Sequence, residues 1–409
     1  MRMKRVVITG MGSVSPYGKG TDLLFSMLIR NESAVSRISS LEYIGGLAPR
    51  VAGVVPDIGI TEIPRKIRRS MSAMSAYAYL AAIEALSQAG LGKAAVQSGR
   101  LGVAIGSTLG SPGTMEEFFR HYIATGGLEQ IKSMLFFRIM GHSAAGNVAQ
   151  ALGVSGRVLS PAAACSSGCQ AIGLGYESIA IGRQDYMLCG GADEFHPLVS
   201  GTFDLMHAAS TAYNDSPHQT PRPFDKKRDG VVCSEGAGVL LLESLESAKR
   251  RGAEILAEVA GFASMCDTGS IAGPAAEPIV ACMRAALEDA NAAPGDVAYI
   301  NAHATGTELG DIAESRAIAA LFGASAPVSS LKGHLGHTMA ASGALESIAS
   351  VLMVRHKMLL PTRNLDSPDE RCSGLDLFQK PVEAAGTLVV KNSFALGGIN
   401  CTLVLRGWE

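Results

Sequence analysis

Cys165 stands in the stretch "SPAAACSSGCQAIGLGYESIA", where a run of small residues breaks into a long apolar segment. "RVLSPAAAC" reads as a strand and turn, and "SSGCQAIGLGYESIAIG" as a helix, so Cys165 falls at a helix N-terminus. Unpaired N–H groups and the positive end of the helix dipole favour a thiolate there. A strand, a sharp turn and a nucleophile heading a buried helix follow the logic of a nucleophile elbow. Ala162, Ala163, Ala164, Ser166, Ser167 and Gly168 would let a substrate backbone come close. The competing reading is a small hydrophobe in a crowded core, the commonest fate of a free cysteine. Cys169, on the same helix face, reads as core.

Two histidine loops bear on the choice. His303 lies in "INAHATGTELGD", at the C-terminal edge of a strand, where open α/β sheets hold their sites. His337 lies in "SSLKGHLGHTMAASGALES", ahead of a small-residue helix. Each alone reads as a capping or core histidine. Together with Cys165 they point to acyl transfer through a thioester. Lys332, five residues before His337, is a surface charge, an ion-pair partner or a field source, with Glu346 as its candidate partner. His334 is the weaker histidine. A metal on His303, His334 and His337 is a minor reading, because neither HxxxH nor HExxH occurs. "NSFALGGINC" is a strand breaking into a glycine loop, and its N–H groups could form half of an oxyanion hole. "GMGSVSPYG" is not GxGxxG and gives no support to dinucleotide binding.

The elements that must hold these residues alternate. Expected strands are "RVVITG", "LGVAIGS", "YMLCGGAD", "GAGVLLLES", "EVAGFASM", "VAYINAHATG" and "TLVVKNSFALGG". "SAMSAYAYLAAIEALSQAG" and "EPIVACMRAALEDANAA" read as helices between them. This alternation predicts an α/β fold whose strands are buried on both faces. A helix, the strand "LGVAIGS" and a polar loop in the first half echo a helix, "VAYINAHATGT" and its loop in the second. The echo predicts two copies of one unit, residues 1–250 and 251–409, packed as one body.

With 409 residues, 47% of them hydrophobic and 18% charged, disorder is excluded and two or three core units fit. A net charge of −2 provides no global field for nucleic acid or membrane. An acidic partner would have to use a local patch. "PRKIRRSMSA" (Arg65, Lys66, Arg68, Arg69) and "TPRPFDKKRDG" (Arg222, Lys226, Lys227, Arg228) are the two candidates, or else ordinary solvated faces. Eight cysteines lie singly with no CxxC pair, which argues against a zinc ribbon and fits a reducing cytosol. The "VVI" run near the start is too short for a signal segment. Ala340 to Val354 contains Glu346 and is too short to span a bilayer.

"AACSSG", "NAHATGTELGD", "KGHLGHTMAASGALES" and "NSFALGGIN", in this order, resemble the β-ketoacyl-acyl-carrier-protein synthases of the type I/II condensing-enzyme group. "RPFDKKRDGVVCSEGAGVLLLE" is similar to that family's middle segment, and the resemblance runs from "VVITGMG" to "CTLVLR". It implies a thiolase-like fold: duplicated βαβαβαββ halves in a five-layer α-β-α-β-α sandwich, as a homodimer. It implies Cys165 as the acyl-accepting nucleophile. His303 and His337 would be donors to the thioester oxygen of malonyl carrier protein as it loses CO2, and Lys332, with Glu346, a supporting charge. Thr305 and Thr307 match positions that bind the phosphopantetheine arm, the N–H groups of Cys165 and Leu396 an oxyanion hole, and Arg65 to Arg69 the patch that receives the acidic carrier protein. No metal or redox cofactor is implied, since phosphopantetheine travels on the carrier protein.

Two departures stand out. "HATGT" replaces the family's "HGTST", and "SFALGGIN" replaces "SFGFGGTN". Leu396 thus takes the place of a gating phenylalanine, and Ala395 that of a glycine in a swinging loop. Altered acyl selectivity and a specialised pathway, such as a polyene or polyketide-type lipid, are the expectations. Leu109 and "MLFFRIM" are expected to border the acyl tunnel. A heterodimer with a chain-length-factor-like subunit stays open. A non-catalytic chain-length factor would lack the nucleophile. A thiolase would need a second cysteine that Cys401 does not match in position, and a cysteine hydrolase would need a base paired with Cys165.

Overall fold

The computed structural model describes residues 3–408. Its first half runs β1 (Val6–Ser15), α1 (Ala73–Gln88), β2 (Leu101–Gly106), α2 (Ser143–Leu152), β3 (Val158–Leu159), α3 (Ser167–Ala180), β4 (Tyr186–Asp193) and β5 (Gly236–Ser244). The second runs β6 (Ala257–Cys266), α4 (Ala276–Asp289), β7 (Tyr299–Asn301), α5 (Glu308–Phe322), β8 (Pro327–Ser329), α6 (Ser342–Arg355), β9 (Leu388–Ala395) and β10 (Ile399–Gly407). Each is βαβαβαββ. The strands order β3-β2-β4-β5-β1 in one and β8-β7-β9-β10-β6 in the other. Within each set the first three strands run parallel and the last two pairings are antiparallel. A short antiparallel pairing, Val6↔Val259 to Ile8↔Ala257, joins the two sets.

The expected strand "RVLSPAAAC" shrinks to Val158–Leu159, and "VAYINAHATG" to Tyr299–Asn301. In both, the chain leaves the sheet early to carry a functional loop.

Burial follows from the sequence. Every residue of β1 and β5 is buried, as expected for strands covered on both faces. Gly10 and Gly12 let α1 lie on β1, for a Cβ at either would meet an α1 carbonyl oxygen at 2.0 Å. On the far side of the second sheet, α4 packs against β6, β10 and α5. Between the sheets, α3 and α6 pack on each other and touch strands of both sets. The result is five layers, α-β-α-β-α, the thiolase-like arrangement.

The central core joins Ile172 and Ile179 of α3, Leu345 and Ile348 of α6, Leu240 and Leu242 of β5, and Leu403 and Leu405 of β10. Twelve of the fourteen α6 residues are buried, which explains the uniform apolarity of Ala340–Val354: a helix buried all round needs no polar face. Among the described residues no helix is long and apolar enough to cross a membrane.

Candidate active site

The site forms where the two central helices begin. Each is preceded by a 3₁₀ turn, Ala164–Ser166 before α3 and Met339–Ala341 before α6. Each turn opens on a non-glycine residue with positive φ, Ala164 at 44° and Met339 at 51°. Such backbone costs about 1–3 kcal/mol and persists only where its surroundings enforce it. Ala164 is the sharp turn of the expected elbow, and Cys165 follows it at the head of α3.

Of the small residues around Cys165, Ala164 lines the cavity beside it, Ala162 is exposed, and Gly168 serves close packing. A Cβ on Gly168 would meet Ala340 O at 2.2 Å, and one on Gly191 would meet the same oxygen at 2.1 Å. The backbone of the α6 turn therefore fills the space that the glycines leave. Ser166 is fully buried and donates from Oγ to Ser393 O (2.9 Å) and Ile399 O (3.0 Å), tying the nucleophile turn to β9 and β10. Ser167 Oγ donates to Ala164 O (2.7 Å) and accepts from Ala163 N (2.8 Å).

Cys165 packs with Cys233, Met339, Val199 and Phe203. Burial pushes its thiol up to about 12, against the pull of the Lys332 charge. Burial thus opposes the thiolate that the helix end favours. Cys169 is fully buried in the central core, as its position suggested.

Cys233 also brings in His337. His337 N donates to Val232 O (2.7 Å), and Ser234 N donates to His337 O (2.8 Å). Its Nδ1 sits 3.0 Å from Ser342 Oγ, while Nε2, buried, has no partner among the described residues. His303 lies edge-on to it, ring centroids 5.3 Å apart at 84°, and 5.6 Å from the Phe394 ring. His303 Nδ1 is likewise unpartnered among the described residues. The His303 loop is held by Glu314, which accepts from His303 N (2.9 Å), Ala304 N (2.7 Å) and Asn392 Nδ2 (3.0 Å). Burial, with the charges of Lys332 and Lys391, drives both imidazoles well below the ordinary histidine range. They are neutral near pH 7.

Lys332 is fully buried, with Nζ 2.7 Å from Glu346 Oε1, so the ion-pair reading holds and the surface reading fails. Burial lowers its pKa. Lys391, absent from the sequence reading, is fully buried as well, and its Nζ sits 2.8 Å from Glu346 Oε2. His334 is buried with both ring nitrogens unpartnered among the described residues, and it joins no cluster that could hold a metal.

Thr305 and Thr307 place their hydroxyls 3.1 Å apart on the His303 loop. That loop turns at Gly306 (φ 85°), whose N–H donates to Asp311 Oδ1 at 3.1 Å. Arg228 supports it, donating to Thr307 O and Glu308 O (3.3 Å each) and pairing with Asp369 (2.7 Å). Arg222 and Arg228 are buried struts, which corrects the solvated-face reading of "TPRPFDKKRDG" for the two arginines, while Lys226 and Lys227 are exposed. A buried salt-bridged arginine and a solvated one look alike in sequence.

A cavity of about 170 Å³ ends on Cys165, lined also by Leu109, Pro112, Val199, Phe203, Met339 and Leu396. Leu109 and Leu396 therefore lie where expected. Met134–Met140 do not line it. Met134 and Leu135 instead line a separate groove with Arg65, Arg68, Arg69, Lys132 and Arg138. Lys66 is exposed but not among that groove's lining residues.

A buried cysteine on an elbow, two neutral histidines and an apolar cavity, set between duplicated halves, define a thiolase-fold condensing enzyme. Residues 3–248 match the Beta-ketoacyl synthase, N-terminal domain, and residues 256–366 the Beta-ketoacyl synthase, C-terminal domain. The chain belongs to the β-ketoacyl synthase family.

It is 34% identical over 406 residues to the 3-oxoacyl-[acyl-carrier-protein] synthase 1 of Escherichia coli (strain K12), covering 99% of each chain. Among solved structures it resembles a β-ketoacyl synthase from Burkholderia phymatum STM815, with TM-score 0.96, 41% identity and full coverage of both chains. It also resembles the ishigamide ketosynthase/chain length factor, with TM-score 0.91, 32% identity and full coverage of both. The protein is a ketosynthase of the acyltransferase class, and enzymes of this family need no cofactor of their own.

Proposed function

We propose that the chain joins a malonyl group, delivered on acyl carrier protein, to an acyl chain held as a thioester on Cys165. The observation that carries this reading is the apolar cavity that ends on Cys165. The Cys165 sulfur attacks the acyl thioester, the bond to the carrier protein's pantetheine sulfur breaks, that thiol leaves with the proton Cys165 gives up, and the acyl chain lies in the cavity. Malonyl then loses CO2. The electron pair that remains moves towards the thioester oxygen, where His303 and His337, neutral and with unpartnered nitrogens, donate hydrogen bonds. The carbanion attacks the acyl-Cys165 carbonyl, the carbonyl–sulfur bond breaks, Cys165 leaves as thiolate and regains a proton, and the chain, now two carbons longer, stays on the carrier protein. The Cys165 and Leu396 N–H groups stabilise the oxyanion, both residues lining one cavity. Thr305 and Thr307 bind the pantetheine arm. Lys332, held by Glu346, supports the site charge.

Arg65, Lys66, Arg68 and Arg69 receive the acidic carrier protein, a role supported by the basic groove that three of them line. Residues 1–250 supply the nucleophile and 251–409 the histidines, a division supported by the matching strand orders. A homodimer is supported by the edge strand β3, where Val158 is exposed. Likeness to the ishigamide ketosynthase/chain length factor supports a second reading, in which this chain is the active subunit of a heterodimer in a specialised cytoplasmic pathway.

Intact-protein mass after mixing with a panel of acyl carrier proteins tests the assignment. Wild type should gain one acyl group and Cys165→Ala none. Acylation of the alanine variant would refute Cys165 as the acceptor.

Leu396→Phe should narrow the cavity. In competitive loading the longest accepted acyl group is expected to fall about tenfold against the shortest. An unchanged preference would remove Leu396 from selectivity.

A further inference from the structure

Lys391 sits in β9 between Val390 and Asn392 and is fully buried. Its ammonium lies 2.8 Å from Glu346 Oε2, while Lys332 holds Oε1 at 2.7 Å. Two buried lysines thus share one carboxylate. Lys391 Nζ also donates to Asn392 O and, at 3.3 Å, to Ser393 Oγ. These contacts lead to both halves of the site. Asn392 Nδ2 donates to Glu314, which holds the His303 loop, and Ser393 O accepts from Ser166, next to Cys165.

We propose that Lys391 is a positioning residue: by sharing Glu346 with Lys332 it leaves a surplus positive charge behind His303 and His337, which keeps both imidazoles neutral and able to donate. This rests on the proposed role of the two histidines. A buried ion pair of one lysine and one glutamate has no net charge, so its effect on a nearby imidazole largely cancels. A second lysine on the same carboxylate breaks that balance. Among the described residues, the charged and titratable groups around the histidines include Lys332, Lys391, Glu346, Glu314, Cys165 and Cys233. Beyond Glu314 lie Asp311 and Arg228, 3.8 Å apart. Two further carboxylates touch the His303 loop: Glu314, whose pKa burial raises, at His303 N, and Asp311, whose pKa burial also raises, at Gly306 N. A positive charge disfavours the imidazolium, and the low dielectric of the interior extends its reach.

The test is decarboxylation of malonyl carrier protein against pH in wild type, Lys391→Met, Lys391→Gln and Lys391→Arg. Removing the charge makes imidazolium easier to form, so the acid limb of the Met and Gln profiles should move up by about one pH unit. The rate on the high-pH plateau should stay within about threefold of wild type, and Lys391→Arg should restore the wild-type limb. Histidine 13C NMR of the resting protein should show the same upward shift without turnover. Acyl loading of Cys165, read by mass, should be unchanged.

An unmoved limb in folded Met and Gln variants overturns the proposal. So does a fall in plateau rate with no shift, or failure of both variants to fold, since either marks a structural lysine. The histidine reading fails separately, if His303→Ala and His337→Ala both decarboxylate as wild type does.

Discussion

His337→Ala is expected to lower malonyl decarboxylation and condensation by about 10²–10³-fold, the usual cost of one oxyanion donor. Acylation of Cys165 should continue. The separation follows from the geometry. His337 is held by Val232 O and Ser342 Oγ, so its ring is fixed before substrate arrives. Its Nε2 is buried and unpartnered among the described residues. That condition is costly in a folded protein and is relieved when a thioester oxygen accepts the bond. Single-turnover loading of Cys165, followed separately by CO2 release, divides the two steps. CO2 release at the wild-type rate would assign the donor role elsewhere.

Glu346→Ala should be the most destabilising change at the site. It leaves Lys332 and Lys391 buried with no counter-charge, and losing one partner of a buried pair typically costs about 3–5 kcal/mol. Glu346→Gln should cost less, since the amide oxygen still accepts from one lysine. The pH dependence has a definite sign. Burial lowers the Lys332 pKa, so the unfolded chain binds more protons at alkaline pH and stability rises with pH there. In the alanine variant this rise should be steeper, and the deficit should shrink as pH climbs towards an exposed lysine's pKa. Urea unfolding at several pH values measures it. A variant as stable as wild type at pH 7 would mean that the lysines are not held as a charged group.

Much of this was readable before any coordinates. Alternating strands and helices and the echo between halves carried an α/β fold of two like units, because burial on both faces leaves a plain apolar signature in β1 and β5, while the βαβαβαββ order came from the family resemblance. Cys165 stood out as a thiol at an expected helix head behind a run of small residues, and the two histidines because they lie in glycine-flanked loops. Lys391 was missed, although it left a trace. A lysine inside "TLVVKNSF", in a fold whose strands are covered on both faces, has nowhere to go but inward and needs a carboxylate there. Arg228 was misread for a related reason: its partner Asp369 lies 141 positions away, beyond any local pattern, whereas Arg222 has a partner, Asp225, three residues on whose burial the motif does not reveal. The purpose of Gly168 was also hidden, because Ala340, the backbone it admits, belongs to the other half.

The central layer has a consequence for synthesis. Helix α3 leaves the ribosome with its outer apolar face bare, since β6, β10 and α6, which cover it, are encoded later. At about 5–20 residues per second, the ~227 residues between the end of α3 and the end of β10 take roughly 11–45 s to appear. For that time the nascent chain displays the α3 face that carries Gly173, against which Phe262 of β6 later packs, a window in which chaperone capture competes with aggregation.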